Sequence, residues 1–157
     1  PLTELLGELV ESRQQLEAEH QVYRPIAIKI APDWTDRTLN AALELIGRSG
    51  LDGLIATNTT LDRSTVAGHA KAAEAGGLSG RPLMAPSTSV LRRAREVLGP
   101  DFPIIASGGV HSGADALAKQ DAGADLVQLY TGFIYEGPGL IRACTSAWKT
   151  PIPRAAA

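Results

Sequence analysis

A lysine inside an apolar run, a knot of hydroxyls around one amide, and three glycine-bearing turns are the residues of this sequence whose types and spacing could do chemistry. Lys29 lies within the run 26–30 (IAIKI), where an unpaired ammonium carries a heavy desolvation cost unless an anion or a polar pocket meets it. Two readings are open: the lysine holds an anionic or electron-rich ligand at the carboxyl edge of a sheet, or its stem packs while its head reaches water or a carboxylate. Thr57, Asn58, Thr59 and Thr60 set an amide that both donates and accepts among three hydroxyls. Such a group can read a flat, polar heterocycle, or it can simply make an Asx or ST turn. Asp62 and Arg63, just beyond, are adjacent and of opposite charge, as in a local ion pair.

The runs GGLSG (76–80) and GGVHS (108–112) are glycine-rich, and the second leads from an apolar run into a helix start. Backbone N–H groups at a helix N-terminus suit a phosphate, because unsatisfied donors and the helix dipole point at the same anion. Taken singly, each run is accounted for by turn chemistry. Tyr130, Thr131 and Gly132 form a similar turn on the next unit, and two adjacent turns of this kind match the phosphate site formed after the last two strands of a (β/α)8 barrel.

The elements that must position these residues alternate. Residues 1–20 place Leu2, Leu5, Leu6, Leu9 and Leu16 at helical spacing, predicting an amphipathic helix with one face buried. Strands are predicted at 26–30, 53–57, 103–107 and 126–130, each a short, mostly apolar run. Between them, Leu39, Ala42, Leu43 and Ile46 recur at helical spacing, with N-cap oxygens offered by Asp33, Thr35 and Asp36. A further helix over 86–98 turns Val90, Leu91, Ala94 and Val97 inward and Arg92, Arg93, Arg95 and Glu96 outward. Ser112 and Asp115 have capping-box-like spacing, and 133–148 reads as helical with a break near 137–139. The long polar stretch 58–82 is the place to look for function.

Four apolar strands alternating with helices predict an α/β fold whose parallel sheet is covered on both faces. A small doubly wound sheet and half of a (β/α)8 barrel both fit. Lys29, Thr57, Ser107 and Tyr130 fall at or near carboxyl strand ends, where either architecture places its site.

Composition narrows the function classes. The chain has 157 residues and a net charge of -2, with 4% aromatics, a poor footprint for nucleic acid. The lone Cys144 and three histidines offer no soft metal cluster and no internal disulfide. Glu4, Glu8, Glu11, Glu17 and Glu19 interrupt any signal-peptide core, and no run approaches the roughly 18 apolar residues of a membrane span. His20 and His69 read as solvated, His111 as facing water at a helix start, and Cys144 and Met84 as packing residues. No Ser-His-Asp or Cys-His set and no flanking pair of carboxylates supplies a general base.

Five motifs taken in order then resemble dihydroorotate dehydrogenase, in its class 2, quinone-linked branch: IAIKIAPD (26–33), DGLIATNTTLDRS (52–64), GGLSGRPL (76–83), PIIASGGVHSG (103–113) and AGADLVQLYTGFIYEGPGLI (122–141). Arg81 and Pro82 after the GGLSG run look like that branch. The resemblance implies the C-terminal half of a (β/α)8 TIM barrel, four βα units over residues 1–150, with a flexible tail at 151–157. It implies FMN at the barrel mouth, with Lys29 beside the flavin ring, Thr57 contacting it, and Gly80, Gly109, Tyr130 and Thr131 as FMN-binding positions, the last three around the phosphate. Asn58 and Thr59 resemble the pair that holds the substrate's ring and carboxylate. The family oxidises dihydroorotate to orotate in pyrimidine biosynthesis, passing a hydride to FMN and electrons to a quinone. Its base, a serine, and its membrane-associating helices belong to an N-terminal half that this chain is expected to need as partner. The chain alone is therefore expected to lack turnover, and the resemblance implies a peripheral place on the cytoplasmic face of a bacterial inner membrane. Two rivals are another FMN- or phosphate-binding barrel oxidoreductase and a non-catalytic nucleotide-binding module.

Overall fold

The computed structural model of the chain describes residues 2–148, so the expected tail at 151–157 lies outside the described residues. The chain opens with α1 (Leu2–His20) and then alternates strands and helices: β1 (Ala27–Ile30), α2 (Asp36–Arg48), β2 (Gly53–Ala56), α3 (Met84–Leu98), β3 (Ile104–Ser107), α4 (Gly113–Asp121), β4 (Leu126–Gln128), α5 (Thr131–Glu136) and α6 (Gly139–Ala147). The strands form one parallel sheet in chain order, β1-β2-β3-β4. This is the sequential arrangement of a barrel wall; a doubly wound sheet reverses its strand order part-way.

Parity of the strands decides which side chains are covered. Leu54, Ala56, Ile104 and Ala106 are fully buried and cluster with Leu39, Leu43 and Ile46 of α2 and Val90, Leu91 and Ala94 of α3. Each large aliphatic side chain so buried contributes about 1.5–3 kcal/mol relative to exposure. The other face carries the row Lys29, Ile55, Ile105 and Leu126, matched across the sheet by register. Here the expectation of two covered faces fails: Lys29 and Leu126 are exposed and the two isoleucines only half-buried. A run such as IAIKI signals burial without saying what buries it, and this face is the one a barrel fills from the strands opposite.

Local chemistry explains the helix starts. Thr35 caps α2, its Oγ1 accepting from the Thr38 amide at 3.3 Å. Ser112 caps α4 reciprocally with Asp115: the Asp115 amide donates to Ser112 Oγ (3.1 Å), and the Ser112 hydroxyl (2.8 Å) and His111 amide (3.0 Å) donate to the Asp115 carboxylate. Asp33, offered as a cap, instead accepts from the Thr60 hydroxyl and the Leu61 amide.

Three other expectations are corrected. In α1 only Leu6 is buried, while Leu5 and Leu16 are exposed; the covered face runs through Leu2, Leu6 and Val10 against the core. The helix is further tied down by Arg13, which donates to Asp52 at 2.7 Å and lies over the Tyr23 ring at 4.9 Å. Arg95 does not point outward. Its guanidinium is half-buried and donates to the carbonyls of Gly99 (2.7 Å), Pro100 (3.0 Å), Phe102 (2.8 Å) and Gly123 (2.7 Å) and to Asp125 (2.7 Å), clamping the loops that enter β3 and β4. Asp62 and Arg63 interact, since the Ser64 amide is joined by the Arg63 backbone and charge in lowering the Asp62 carboxyl, but their closest side-chain bonds go elsewhere: Asp62 accepts from the Ser64 amide (2.8 Å), whereas Arg63 donates to the carbonyls of Thr60 (3.0 Å) and Gly76.

Candidate functional site

All eight residues expected to bind ligand line one cleft at the carboxyl edge of the sheet: Lys29, Thr57, Asn58, Thr59, Gly80, Gly109, Tyr130 and Thr131. The folding reason is simple. Each strand ends in residues that leave the sheet upward, so consecutive strand ends converge at one rim. The cleft's volume of about 170 Å³ falls below the roughly 300–1,000 Å³ of small-molecule sites, as befits one wall of a site.

Lys29 projects from the open face of β1 and is exposed rather than desolvated, which corrects the burial argument made from its apolar neighbours. At the end of β2 the Ala56–Thr57 peptide is cis. The Thr57 amide donates to Ser107 O (2.8 Å) and the Asn58 amide to Ile30 O (2.7 Å), so the departing chain is held by both neighbouring strands in turn. Thr57 is buried, with its hydroxyl donating to Asn58 O at 2.8 Å, while Asn58 is exposed. Beyond them the loop is pinned at Thr60, which bridges to Leu78 in antiparallel fashion and donates to Asp33. Thr59 passes directly over Gly77; a Cβ there would fall 1.8 Å from Thr59 Oγ1.

The turns after β3 and β4 are pressed together. Gly109, at φ +81, lies against the start of α3, and Gly132 lies against the carbonyl of Val110, 2.0 Å from where its Cβ would be. Thr131 donates to Ser79 Oγ at 3.0 Å, joining the last turn to the GGLSG loop. At the start of α4 the Asp115 amide is taken by Ser112 and the preceding His111 amide by Asp115. Donors at this rim include the amides of the Gly108 and Gly109 turn and the first-turn amides of α5, which have no carbonyl four residues back within the helix. A flavin phosphate fits this set of donors, and among the described residues Lys29 supplies the one ammonium lining the cleft.

Sequence reasoning missed several lining residues. Ser107, noted only for its strand end, and Gln128 share the lining and pair in register on adjacent strands; parity from Lys29 through Ile105 would have found both. His111 is also misread. It is 8% exposed, with neither ring nitrogen hydrogen-bonded and Nδ1 3.7 Å from Glu136. Lys119 on α4 is fully buried, which its residue type alone does not announce. Among the described residues no group of three acidic, histidine or cysteine side chains could hold a metal ion, and no helix is long and apolar enough to cross a membrane.

A family profile described as dihydroorotate dehydrogenase matches residues 2–147. The chain belongs to the dihydroorotate dehydrogenase family. Proteins named dihydroorotate dehydrogenase (quinone) are similar along most of it: that of Xanthomonas axonopodis pv. citri is 50% identical over 146 residues, 93% of this chain and 42% of that protein. That of Vibrio parahaemolyticus is 52% identical over 141 residues, 90% of this chain and 42% of that protein. The chain thus spans about two fifths of the length of these dihydroorotate dehydrogenases. Among solved structures, the Eimeria tenella enzyme in complex with ferulenol superposes with a TM-score of 0.72 at 41% identity, covering 77% of this chain and 32% of that one. The ligand-free form from the same organism gives 0.74 at 42% identity, covering 79% and 35%. The fold is therefore that of part of a dihydroorotate dehydrogenase barrel, four parallel strands alternating with helices.

Proposed function

We propose that this chain is the C-terminal, FMN-holding wall of a quinone-linked dihydroorotate dehydrogenase, and that it acts when an N-terminal half closes the barrel. The observation that carries the reading is the meeting of Lys29, Asn58, Thr59 and both glycine turns in one cleft, on a chain whose relatives are named for this reaction. FMN held in this cleft would supply a hydride acceptor for dihydroorotate and a carrier of its electrons to a quinone. The chain's own residues bind and orient. Amides of the Gly108 and Gly109 turn and of the start of α5, together with Tyr130 and Thr131, hold the phosphate. Gly80 would leave room for the cofactor, and Thr57 would contact it. Lys29 presents a positive charge where electron density rises, favouring the charged state. Asn58 and Thr59 hold the substrate's ring and carboxylate on a loop fixed by Asp33 and Arg63.

Proton removal from the substrate belongs to a base outside this chain, so the isolated chain does not turn over. By resemblance to its quinone-linked relatives, the chain is placed in this reading peripherally at the inner face of a bacterial membrane. The test is a flavin titration of the chain alone and together with a separately expressed N-terminal half, followed by dihydroorotate. Flavin bleaching only in the mixture is the expected result. Associated, folded halves that neither bind flavin nor bleach would overturn the reading in favour of a non-catalytic module.

A further inference from the structure

Lys119 lies on α4 with no part of it exposed. Its ammonium donates to three neutral oxygens, all from the first turns of α3: Ser87 Oγ at 2.6 Å, Thr88 Oγ1 at 2.8 Å and Met84 O at 3.3 Å. A buried cation held this way is expensive, and an aliphatic residue of similar volume would often be at least as stable. Burial lowers the ammonium to about 8, with Asp115 on α4 favouring the charge and Arg92 on α3 opposing it.

The partners of Lys119 are the groups on which the glycine turn rests. Ser87 Oγ lies 3.2 Å from Gly108 O, and the Met84 backbone fills the space beside Gly109 where a side chain would stand. Gly108 O and the Gly109 N–H belong to one peptide unit. The single Ser87 proton goes to Leu83 O at 2.6 Å, so the ammonium acts on the turn by fixing the segment 84–87 against which Gly108 and Gly109 lie.

We propose that Lys119 is a positioning residue for the phosphate end of the cofactor site, acting through Met84 and Ser87 on the Gly108–Gly109 turn and supplying positive charge from behind it. This rests on the flavin reading above. The coupling is reciprocal: an anion on the turn favours the protonated lysine, and the protonated lysine favours the anion.

The experiment compares FMN with riboflavin, which lacks the phosphate, on the barrel completed with its N-terminal half. Lys119→Met is expected to weaken FMN about tenfold, within the usual range of a coupling between sites, and to leave riboflavin unchanged. Wild-type affinity for FMN should fall as pH rises past about 8, and the variant should lose that dependence. Ser87→Ala keeps the lysine but breaks the link, and should reproduce the FMN-selective loss; it serves if Lys119→Met does not fold. Equal weakening of both flavins in both variants would show a packing role only and overturn the assignment while leaving the flavin reading intact. A wild-type barrel that binds neither flavin would overturn both.

Discussion

Adding one methyl group at Gly109 tests how the cofactor wall is built. An ideal Cβ at this position falls 2.3 Å from Met84 Cα, 2.4 Å from its N and 2.5 Å from its Cβ. Carbon atoms prefer about 3.5–4.0 Å, so turn and helix must separate by about 1 Å. The start of α3 is poorly placed to yield, because Ser87 donates to Leu83 O at 2.6 Å and Lys119 holds Met84, Ser87 and Thr88. The turn therefore moves. The left-handed backbone at φ +81 adds about 1–2 kcal/mol of strain for alanine. A displacement near 1 Å in groups that position a ligand costs up to about a hundredfold. Gly109→Ala is expected to weaken FMN by about ten- to a hundredfold in a fluorescence-quenching titration of the completed barrel, and to lower its urea midpoint. Gly137→Ala is the control, since Gly137 has φ +67 but nothing within 4 Å of its Cβ position. It should show the strain in stability and leave FMN affinity within about twofold. Equal FMN affinity for Gly109→Ala and wild type would refute the contact argument.

Other consequences can be checked on the same assembly. Lys29→Met should retain bound FMN yet slow its reduction by dihydroorotate at least about a hundredfold, as read by stopped-flow bleaching. Gly77→Ala would put a methyl 1.8 Å from Thr59 Oγ1, so Thr59 must turn away; orotate binding should weaken while the FMN titration stays unchanged. For Asp52, burial pushes the carboxyl up, but hydrogen bonds from Tyr23 and the Ile26 amide and the Arg13 guanidinium outweigh it and hold the group below 3.8. A lowered folded value stabilises the protein above the unfolded value and loses that contribution as pH falls through the folded one. Wild type should accordingly shed stability below about pH 4, and Asp52→Asn should remove that part of the acid-limb slope.

Much of this was readable along the chain because local rules and tertiary packing agree. Leu39, Ala42, Leu43 and Ile46 sit at helical spacing and are all buried, and Ser112 with Asp115 closes a cap that the two letters announce. The cleft residues were legible because they follow apolar runs, and strand ends in such folds meet. What escaped depends on partners far along the chain. A lysine in a helix is ordinarily read as solvated; only Ser87 and Thr88, more than thirty residues earlier, make Lys119 a buried charge. Arg95 looks like its neighbours Arg92 and Arg93 until the loops before β3 and β4 come within reach. Leu5 and Leu16 fit a helical stripe, but α1 docks through the face carrying Leu2, Leu6 and Val10, and both leucines lie off it. Lys29 was placed correctly yet given the wrong surroundings, since an apolar strand does not state which of its faces its own chain will cover.

The row Lys29, Ile55, Ile105 and Leu126 makes the site sensitive to arithmetic in a way few surface features are. Side chains of a strand alternate, so inserting or deleting one residue within β1 exchanges Lys29 with the Ile28 and Ile30 side. The ammonium would then be driven among the helices and an isoleucine presented at the rim. A change of two residues preserves the face and only slides the lysine along it, by about 6.6 Å. Length variation in β1 is thus all-or-none in odd steps and graded in even ones, whereas the long loop between β2 and α3 can lengthen with no such bookkeeping, provided Thr60 still reaches Leu78.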